Sequence, residues 1–309
     1  MNSVATPASV PRRRRRRTRL QRRQTRLAWL LLLPALAVVA FVAIYPLAKT
    51  VYQSFTNQEF LAGITPTKWV GLDNYHALIH DTVFRDTIVL TIKFTAITVS
   101  IEFALGLIIA LVVNSSFKGR GVMRAVMLVP WAIPTVVAAK MWQWMLDDTY
   151  GVINDLLMRL HIISHPHAWL ADPSTQLGSV AAVDIWKTTP FVALLLLAGL
   201  QVIPNDLYEA ASVDGANAFQ QFWRITLPLL RPAILVALIF RTLDALRVFD
   251  VFNVFFGNRL GSQSMAVYDQ GVIVQDGRVG YGAAVSVAIF LIISVFVVIY
   301  VTFVRVSEE

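Results

Sequence analysis

Four charged residues spaced three apart, Arg241, Asp244, Arg247 and Asp250, interrupt an otherwise apolar stretch of the chain. A lone charge at the middle of a lipid bilayer costs at least about 2.5 kcal/mol, so such residues are expected to face protein or water. Neighbours of opposite sign at this spacing can form ion pairs within one helix, but steps of three also spread the side chains around it. We therefore expect some of them to face another helix or a partner. They form either a packed ion-pair cluster or part of a path for a polar solute.

Further charges lie inside other apolar stretches: Lys93, Glu102, Lys140, Asp184 and Lys187. None of them belongs to a set of residues arranged for hydrolysis, and the phosphate-binding pattern G-x-x-x-x-G-K-[ST] is absent from the sequence. His161, His165 and His167 share one loop, but their mixed spacing favours solvated loop residues over a metal site. The chain by itself is therefore not predicted to be an enzyme, and no catalytic or metal-ligating residue is predicted.

Long apolar helices must position these charges. Hydrophobic residues make up 56% of the 309-residue chain and charged residues 15%, and the mean hydropathy is +0.61, a composition typical of membrane proteins. Six stretches are long enough to cross about 30 Å of hydrocarbon: residues 27–47, 88–113, 122–146, 177–202, 229–252 and 281–304. We predict an all-α integral membrane protein with six transmembrane helices. Pro130, Pro134 and Pro190 would bend them, either around a cavity or hinge or without functional meaning.

The distribution of basic residues predicts the orientation of the chain. Ten arginines lie between Arg12 and Arg26, directly before the first span. An arginine-rich tail can bind RNA, but beside a membrane span it favours a cytoplasmic anchor on anionic lipid, so lipid and not nucleic acid is the expected partner. With the N-terminus inside, sixteen basic residues are cytoplasmic and six are outside; without the tail the balance is six to six. We predict a multi-pass protein of the plasma (inner) membrane with both termini cytoplasmic.

The predicted domain organisation is simple. Residues 1–26 form a basic cytoplasmic tail, and residues 27–309 form one membrane domain. The long outside loops, residues 48–87, 147–176 and 253–280, contain turn residues and are expected to include short interfacial helices. Cysteine is absent from the sequence, which excludes structural disulfides and thiolate metal sites.

Between the fourth and fifth predicted spans lies a cytoplasmic stretch of mixed character, residues 205–228 (the 205–228 segment). Asn205 or Asp206 is predicted to cap a helix with Glu209 in its first turn, Gly215 to end or bend it, and Pro228 to close the segment before the next span. Aromatic side chains in its second half would be unfavourable in water. From these residues alone, both a helix lying on lipid and a partner-binding helix are open.

The segment contains Glu-Ala-Ala, then a glycine after three residues, then Ile-x-Leu-Pro after nine more: Glu209, Ala210, Ala211, Gly215, Ile225, Leu227 and Pro228. This pattern resembles the EAA loop of bacterial ABC importer permeases. The similarity extends over nearly all of the chain after the tail, and stretches such as "WKTTPF" and "RTLDALRVFD" resemble the carbohydrate-uptake branch of trehalose and maltose type.

The resemblance implies that the 205–228 segment is a coupling helix inserted into a groove of a separate ATPase subunit. The residues expected to couple transport to the ATPase are Glu209, Ala210, Ala211, Asp214, Gly215, Phe219, Phe222, Ile225, Leu227 and Pro228. The resemblance also implies three partners: a second homologous permease, an ABC ATPase dimer and an extracytoplasmic sugar-binding protein. No cofactor is expected on this chain, because ATP and Mg²⁺ would be bound by the ATPase.

The implied function is import of a di- or oligosaccharide of trehalose or maltose type. Alternatives are a permease for another polar solute such as a glycerol phosphate, or an ion-coupled secondary sugar transporter. Sugars are held by stacking aromatics together with carboxylates and amides, so the predicted substrate path comprises Trp142, Trp186, Arg247, Phe249, Asp250, Phe252 and Asn253. Lys187, Arg241 and Asp244 are predicted as intramembrane charges beside it. The alternative for each aromatic is plain packing or a place at the membrane interface.

Overall fold

The computed structural model describes residues 19–60 and 66–306, and the chain divides into two units between Tyr52 and Gln53. The first unit is helical throughout its described part and comprises α1 (Arg19–Val39), the π-helical turn π1 (Ala40–Ile44) and most of α2 (Tyr45–Gln53). Residues 19–26 of the predicted basic tail therefore lie in a helix that continues into the first predicted span. Residues 1–18 of that tail lie outside the described part.

The second unit consists of helices joined by turns and short loops. In chain order these are α3 (Asp73–His80), α4 (Thr82–Asn114), α5 (Arg120–Ala132), α6 (Thr135–Met145), α7 (Val152–Arg159), α8 (Pro173–Leu200), α9 (Asn205–Val213), α10 (Ala218–Gln221), π2 (Phe222–Thr226), α11 (Leu227–Leu246), α12 (Asp250–Phe256), α13 (Met265–Gln270), π3 (Gly271–Gln275) and α14 (Val279–Val306). The predicted all-α fold is confirmed. Short helices also occur in the loops predicted to contain them.

Five helical stretches of the described chain are long and apolar enough to cross a membrane: Arg23–Gln53, Thr82–Asn114, Pro173–Leu200, Ala218–Phe256 and Val279–Tyr300. The pair α5 and α6 meets the same criterion only when it is taken together, and its two helices are bent by 87°. Counting this pair as one crossing gives the six spans that were predicted.

The third predicted span, residues 122–146, is divided into two helices, in line with the bending expected from its prolines. Helix α5 ends at Ala132, and α6 begins at Thr135 after the 87° bend. Pro134 lacks an amide hydrogen and disfavours helical backbone in the residue before it, and Ile133 is accordingly extended, with φ −70° and ψ 132°. Pro134 therefore lies at the bend between the two helices.

The prediction of an unbroken fifth span over residues 229–252 is wrong. Helix α11 ends at Leu246, and the separate helix α12 begins at Asp250. The helical register of the four charges is therefore lost after Asp244. Arg241 and Asp244 form the expected ion pair, with Nη1 and Oδ2 3.1 Å apart, whereas no ion pair of Arg247 with either neighbouring aspartate occurs among the described residues.

Helices α4 and α8 form the centre of the second unit. They meet closely at Gly106, where a Cβ would lie 2.8 Å from Val192 Cγ1 and 3.1 Å from the Ala193 nitrogen. Each of the two helices begins at an aspartate cap, Asp81 for α4 and Asp172 for α8, whose carboxylate accepts a backbone N–H of the first turn. This packing sets the relative positions of the charged residues on α4, α8 and α11.

A half-buried carboxyl group, that of Asp269, lies on α13 between α12 and α14 in the chain. Asp269 on α13 accepts a hydrogen bond of 2.7 Å from Ser286 Oγ through Oδ2, while its Oδ1 is buried without a hydrogen-bond partner within the described chain. Burial raises the pKa of Asp269 to about 6, against the smaller lowering effect of the Ser286 bond. This carboxyl group therefore titrates well above an exposed aspartate.

Candidate functional site

The first half of the 205–228 segment is helix α9, which carries Glu209, Ala210 and Ala211. The predicted cap is wrong: α9 begins at Asn205 itself, and Pro204 occupies the cap position without a side-chain hydrogen bond. Because the helix starts there, Glu209 lies in its second turn and is exposed, with Asp206 as the acidic residue of the first turn. The Glu-Ala-Ala triplet thus sits in the middle of a nine-residue helix.

A sharp turn at Gly215 ends this helix, as predicted. Asp214 follows the last helical residue, and Gly215 has φ +80°, a conformation that favours glycine. The chain then re-enters a helix through a capping box, in which Asn217 and Gln220 each accept the other's backbone N–H at 2.9 Å. The second half, α10 and π2, runs directly into α11.

Two side-chain contacts, neither of which the sequence singled out, tie the halves of the segment together. Tyr208 Oη on α9 and Thr226 Oγ1 on π2 lie 3.0 Å apart. Gln221 Nε2 donates to Ser212 Oγ at 2.9 Å and to the Ala216 carbonyl at 3.1 Å. The segment is therefore cross-braced, and its last residues, Ile225, Leu227 and Pro228, belong to π2 and the first turn of α11.

The segment exposes large apolar side chains. Phe219 is 72% exposed and Trp223 is 54% exposed, and their ring centroids lie 6.1 Å apart. Phe222 packs edge-on against Trp223 at 5.5 Å and is partly buried. Leu207 and Val213 on α9 are exposed as well. A surface of this kind, with acidic and polar residues beside it, is typical of a site that binds a partner.

A cluster of buried charges lies farther along α11. Arg241 is 2% exposed and is surrounded by three carboxylates from three helices, Glu102 on α4, Asp184 on α8 and Asp244 on α11. Its Nη2 is 3.0 Å from Glu102 Oε1 and also donates to Asp184, while its Nη1 donates to Asp244. We call these four residues the charge cluster. The prediction that part of this group faces other spans is confirmed for Arg241.

A cavity of about 290 Å³ lies beside the charge cluster, where the α5–α6 break meets the α11–α12 break. We call it the polar cavity. Its lining comes from both breaks and from α8: Trp131, Thr135, Asp184, Lys187, Thr188, Asp244, Arg247, Val248, Phe249, Asp250 and Val251. Carboxylates, cations, hydroxyls and aromatic rings thus surround one space, which is the chemistry that binds a polar solute with apolar faces.

The structure brings only part of the predicted substrate path to this cavity. Arg247, Phe249 and Asp250 line it together with the predicted charges Lys187 and Asp244. Arg241 lies behind it in the charge cluster. The lining residues absent from the predicted path include Trp131, Thr135 and Thr188. Trp131 and Thr135 flank the α5–α6 break, for which the signal in the sequence was the pair of prolines.

The other predicted path residues lie elsewhere. Trp142 and Trp186 pack edge-to-face against each other with centroids 5.4 Å apart, and Trp142 lines a separate, mainly apolar cavity. Phe252 is 1% exposed and packs edge-on against Phe94, so its ring belongs to the core. Asn253 lies within α12 and is exposed, and it does not line the polar cavity. Phe252 was predicted either to bind sugar or to pack in the core, and the structure shows that it packs in the core.

Of the three loop histidines, His167 is held by residues at the start of α8. Its Nε2 is 3.2 Å from Thr175 Oγ1 and 3.5 Å from Asp172 Oδ2. Within the described residues, no three histidine, aspartate or glutamate side chains converge in a way that could hold a metal ion.

Comparison of the sequence with protein families and with known proteins identifies transport-system permeases in each case. The family "Binding-protein-dependent transport system inner membrane component" matches residues 102–308. The trehalose/maltose transport system permease protein MalF of Thermococcus litoralis is 41% identical over 275 residues, which cover 89% of this chain and 92% of that protein. The sulfoquinovosyl glycerol transport system permease protein SmoG of Agrobacterium fabrum is 38% identical, covering 91% of each chain.

The fold has a solved counterpart. A chain in the crystal structure of a bacterial ABC transporter involved in the import of the acidic polysaccharide alginate superposes with a TM-score of 0.80. The match covers 93% of this chain and 99% of that chain at 24% sequence identity, so it bears on the fold alone. The arrangement of helices described above is thus that of an ABC importer permease.

Proposed function

The chain belongs to the family of binding-protein-dependent transport system inner membrane components, and from that premise we propose that it imports a di- or oligosaccharide of trehalose or maltose type. As a permease subunit it is a component of a transporter and not an enzyme. It would form the translocation path together with a second homologous permease, receive sugar from an extracytoplasmic binding protein, and be driven by two ABC ATPase subunits that bind ATP and Mg²⁺.

The observation that carries this proposal is the 205–228 segment. Phe219, Trp223 and the acidic Glu209 are all exposed on this segment, and the segment is braced against the start of α11 by the contact between Tyr208 and Thr226. A partner that covers Phe219 and Trp223 would remove apolar surface from water. Because α11 continues from the segment without a loop, a rigid-body displacement of the segment would move the helix that borders the polar cavity.

Sugar chemistry fits the polar cavity. Trp131 and Phe249 offer ring faces, while Asp250, Arg247 and Thr188 offer hydrogen-bonding groups for hydroxyls. The named activities of the relatives on trehalose, maltose and sulfoquinovosyl glycerol support a glycoside as the solute. The predicted orientation places the 205–228 segment and both termini in the cytoplasm, where an ATPase can reach the segment.

The proposal is tested with the complete transporter, purified with its partner subunits and reconstituted in lipid vesicles. We expect trehalose or maltose, presented with the binding protein, to stimulate ATP hydrolysis and to accumulate in the compartment where ATP is hydrolysed. A secondary transporter would instead work without the ATPase and lose uptake on addition of an uncoupler. ATP-driven accumulation of glycerol phosphate or sulfoquinovosyl glycerol, without that of trehalose or maltose, would reject the sugar class and keep the transport class.

A further inference from the structure

Lys187 on α8 connects the two helix breaks. Its Nζ donates to the Ile133 carbonyl at 3.0 Å and to the Trp131 carbonyl at 3.3 Å. The 87° bend takes away the amide donors that an unbroken helix would supply to these carbonyls. Lys187 is 7% exposed, so its ammonium group replaces those donors from within the protein. The α5–α6 break is thus held by a charge from another helix.

The same ammonium group shares the polar cavity with three carboxylates. Asp184 and Asp244 are both bound to Arg241. Asp250, at the first residue of α12, lines the cavity without an ion pair to any described residue. Glu102 faces the cluster from α4 and is also bound to Arg241. In this conformation, Lys187 is therefore held by neutral carbonyls, while Asp250 is the cavity carboxylate without an ion pair among the described residues.

We propose that Lys187 is a positioning residue for transport that exchanges partners, holding the α5–α6 break in this conformation and pairing with Asp250 when the α11–α12 break moves toward it. The inference rests on the proposed function. Asp250 follows α11 after a three-residue break, and α11 continues from the 205–228 segment, so a displacement of that segment changes the distance from Asp250 to Lys187 on α8. Opposite charges attract each other, which favours the new pair, and release of the Trp131 and Ile133 carbonyls lets the α5–α6 break change its angle.

A double-mutant cycle tests the exchange in the reconstituted transporter. Lys187→Met and Asp250→Asn are each expected to lower trehalose uptake per ATP hydrolysed by about tenfold. If the two residues act as a pair, the double variant is no worse than either single variant. Losses that multiply to about a hundredfold would overturn the pairing, because they describe independent sites.

Two controls separate the pairing from general damage. Lys187→Arg keeps the charge and the donors, and we expect it to retain uptake per ATP within about threefold of the original protein. Lys68→Met makes the same chemical change at an exposed position and should leave uptake unchanged. A Lys187→Arg variant as impaired as Lys187→Met would contradict a role for the charge.

The labelling rate of Thr135→Cys provides a readout that does not depend on the sugar. This position lines the polar cavity at the start of α6. With a water-soluble maleimide, we expect the labelling rate to differ at least about fivefold between the nucleotide-free and the vanadate-trapped transporter, and Lys187→Met to reduce that difference below about twofold. An equal rate in both states, or a difference that survives Lys187→Met, would overturn the proposal. If the labelling behaves as expected while neither trehalose nor maltose is taken up, the sugar assignment fails and the positioning role stands.

Discussion

Tyr208 Oη and Thr226 Oγ1 lie 3.0 Å apart, and this contact joins the helix that carries Glu209 to the residues that lead into α11. Thr226 is buried, and Tyr208 packs against the apolar core formed by the C-terminal halves of α4 and α8 and the N-terminal half of α11. Helix α11 in turn carries Arg241 and Asp244. One helix therefore connects the exposed 205–228 segment with the charge cluster and the polar cavity.

Removing this contact should weaken the coupling of transport to ATP hydrolysis. We expect Tyr208→Phe, which deletes only the hydroxyl group, to lower sugar uptake per ATP hydrolysed by about fivefold, equivalent to the roughly 1 kcal/mol of a typical hydrogen bond. Tyr150→Phe, at an exposed tyrosine in the loop between α6 and α7, is the control. An unchanged ratio for Tyr208→Phe would show that the segment transmits movement without this brace.

The charge cluster predicts unequal effects for two of its members. Arg241→Met leaves Glu102 and Asp184 buried without a cation and should destabilise the subunit by about 3–5 kcal/mol. Asp244→Asn removes a pair whose carboxylate side chain is 67% exposed, so the loss should be about 1 kcal/mol or less. The melting temperature of the purified subunit in detergent measures both. Similar losses for the two variants would contradict the buried arrangement.

Gly106 predicts a steric effect where α4 and α8 meet. In Gly106→Ala, the added methyl group would lie 2.8 Å from Val192 Cγ1, and we expect a loss of about 1–3 kcal/mol because the two helices must separate. In Gly121→Ala, within α5, the methyl group meets nothing within 4 Å, and the better helix propensity of alanine should make the change neutral or stabilising. Thermal unfolding of both variants is the measurement. A tolerated Gly106→Ala would mean that the helices are not in close contact there.

Asp269 predicts a dependence of stability on pH. Its pKa is about 6 in the folded protein and near 3.9 in the unfolded chain, so the folded state binds more protons between these values. The contribution of Asp269 to the free energy of unfolding is therefore greatest below about pH 4 and is lost as the pH rises through about 6. This loss amounts to roughly 3 kcal/mol before other groups contribute. Asp269→Asn should remove this part of the dependence and stabilise the subunit at pH 7.5. Melting curves from pH 4 to 7.5 that are parallel for both proteins would contradict it.

The positions of the spans and the 205–228 segment followed from local properties of the sequence. Apolar length identifies the crossings, and glycine at a fixed distance from Glu209 identifies the turn, because Gly215 needs the positive φ that it adopts. Local reasoning indicated only one of the two helix breaks. Pro134 could be recognised in the sequence as a bending residue. At Arg247, where α11 ends, neither a proline nor a glycine indicates that the helix stops.

Long-range packing explains the rest of the difference. Phe252 and Trp142 are the residue types that a sugar site uses, and equally those that a core uses, so only the fold separates Phe252 in the core from Phe249 beside the polar cavity. Arg241 forms an ion pair with Glu102, which is 139 positions away in the sequence. Periodicity within one helix cannot indicate such a pair. Nothing in the sequence marks Tyr208 and Thr226 as partners, because their contact depends on the turn at Gly215 that brings their helices together.

The central claim is that the 205–228 segment transmits work from an ATPase to the membrane helices, and sugar uptake per ATP hydrolysed in the reconstituted transporter tests it most directly. Gly215→Val should abolish uptake while ATP hydrolysis continues, because a β-branched residue is strained at φ +80° and would displace the turn. Gly261→Val makes the same change at φ +81° in the loop between α12 and α13 and should keep the ratio within about twofold of the original protein. If Gly215→Val transports sugar with an unchanged ratio, the segment is not the element that couples the two activities.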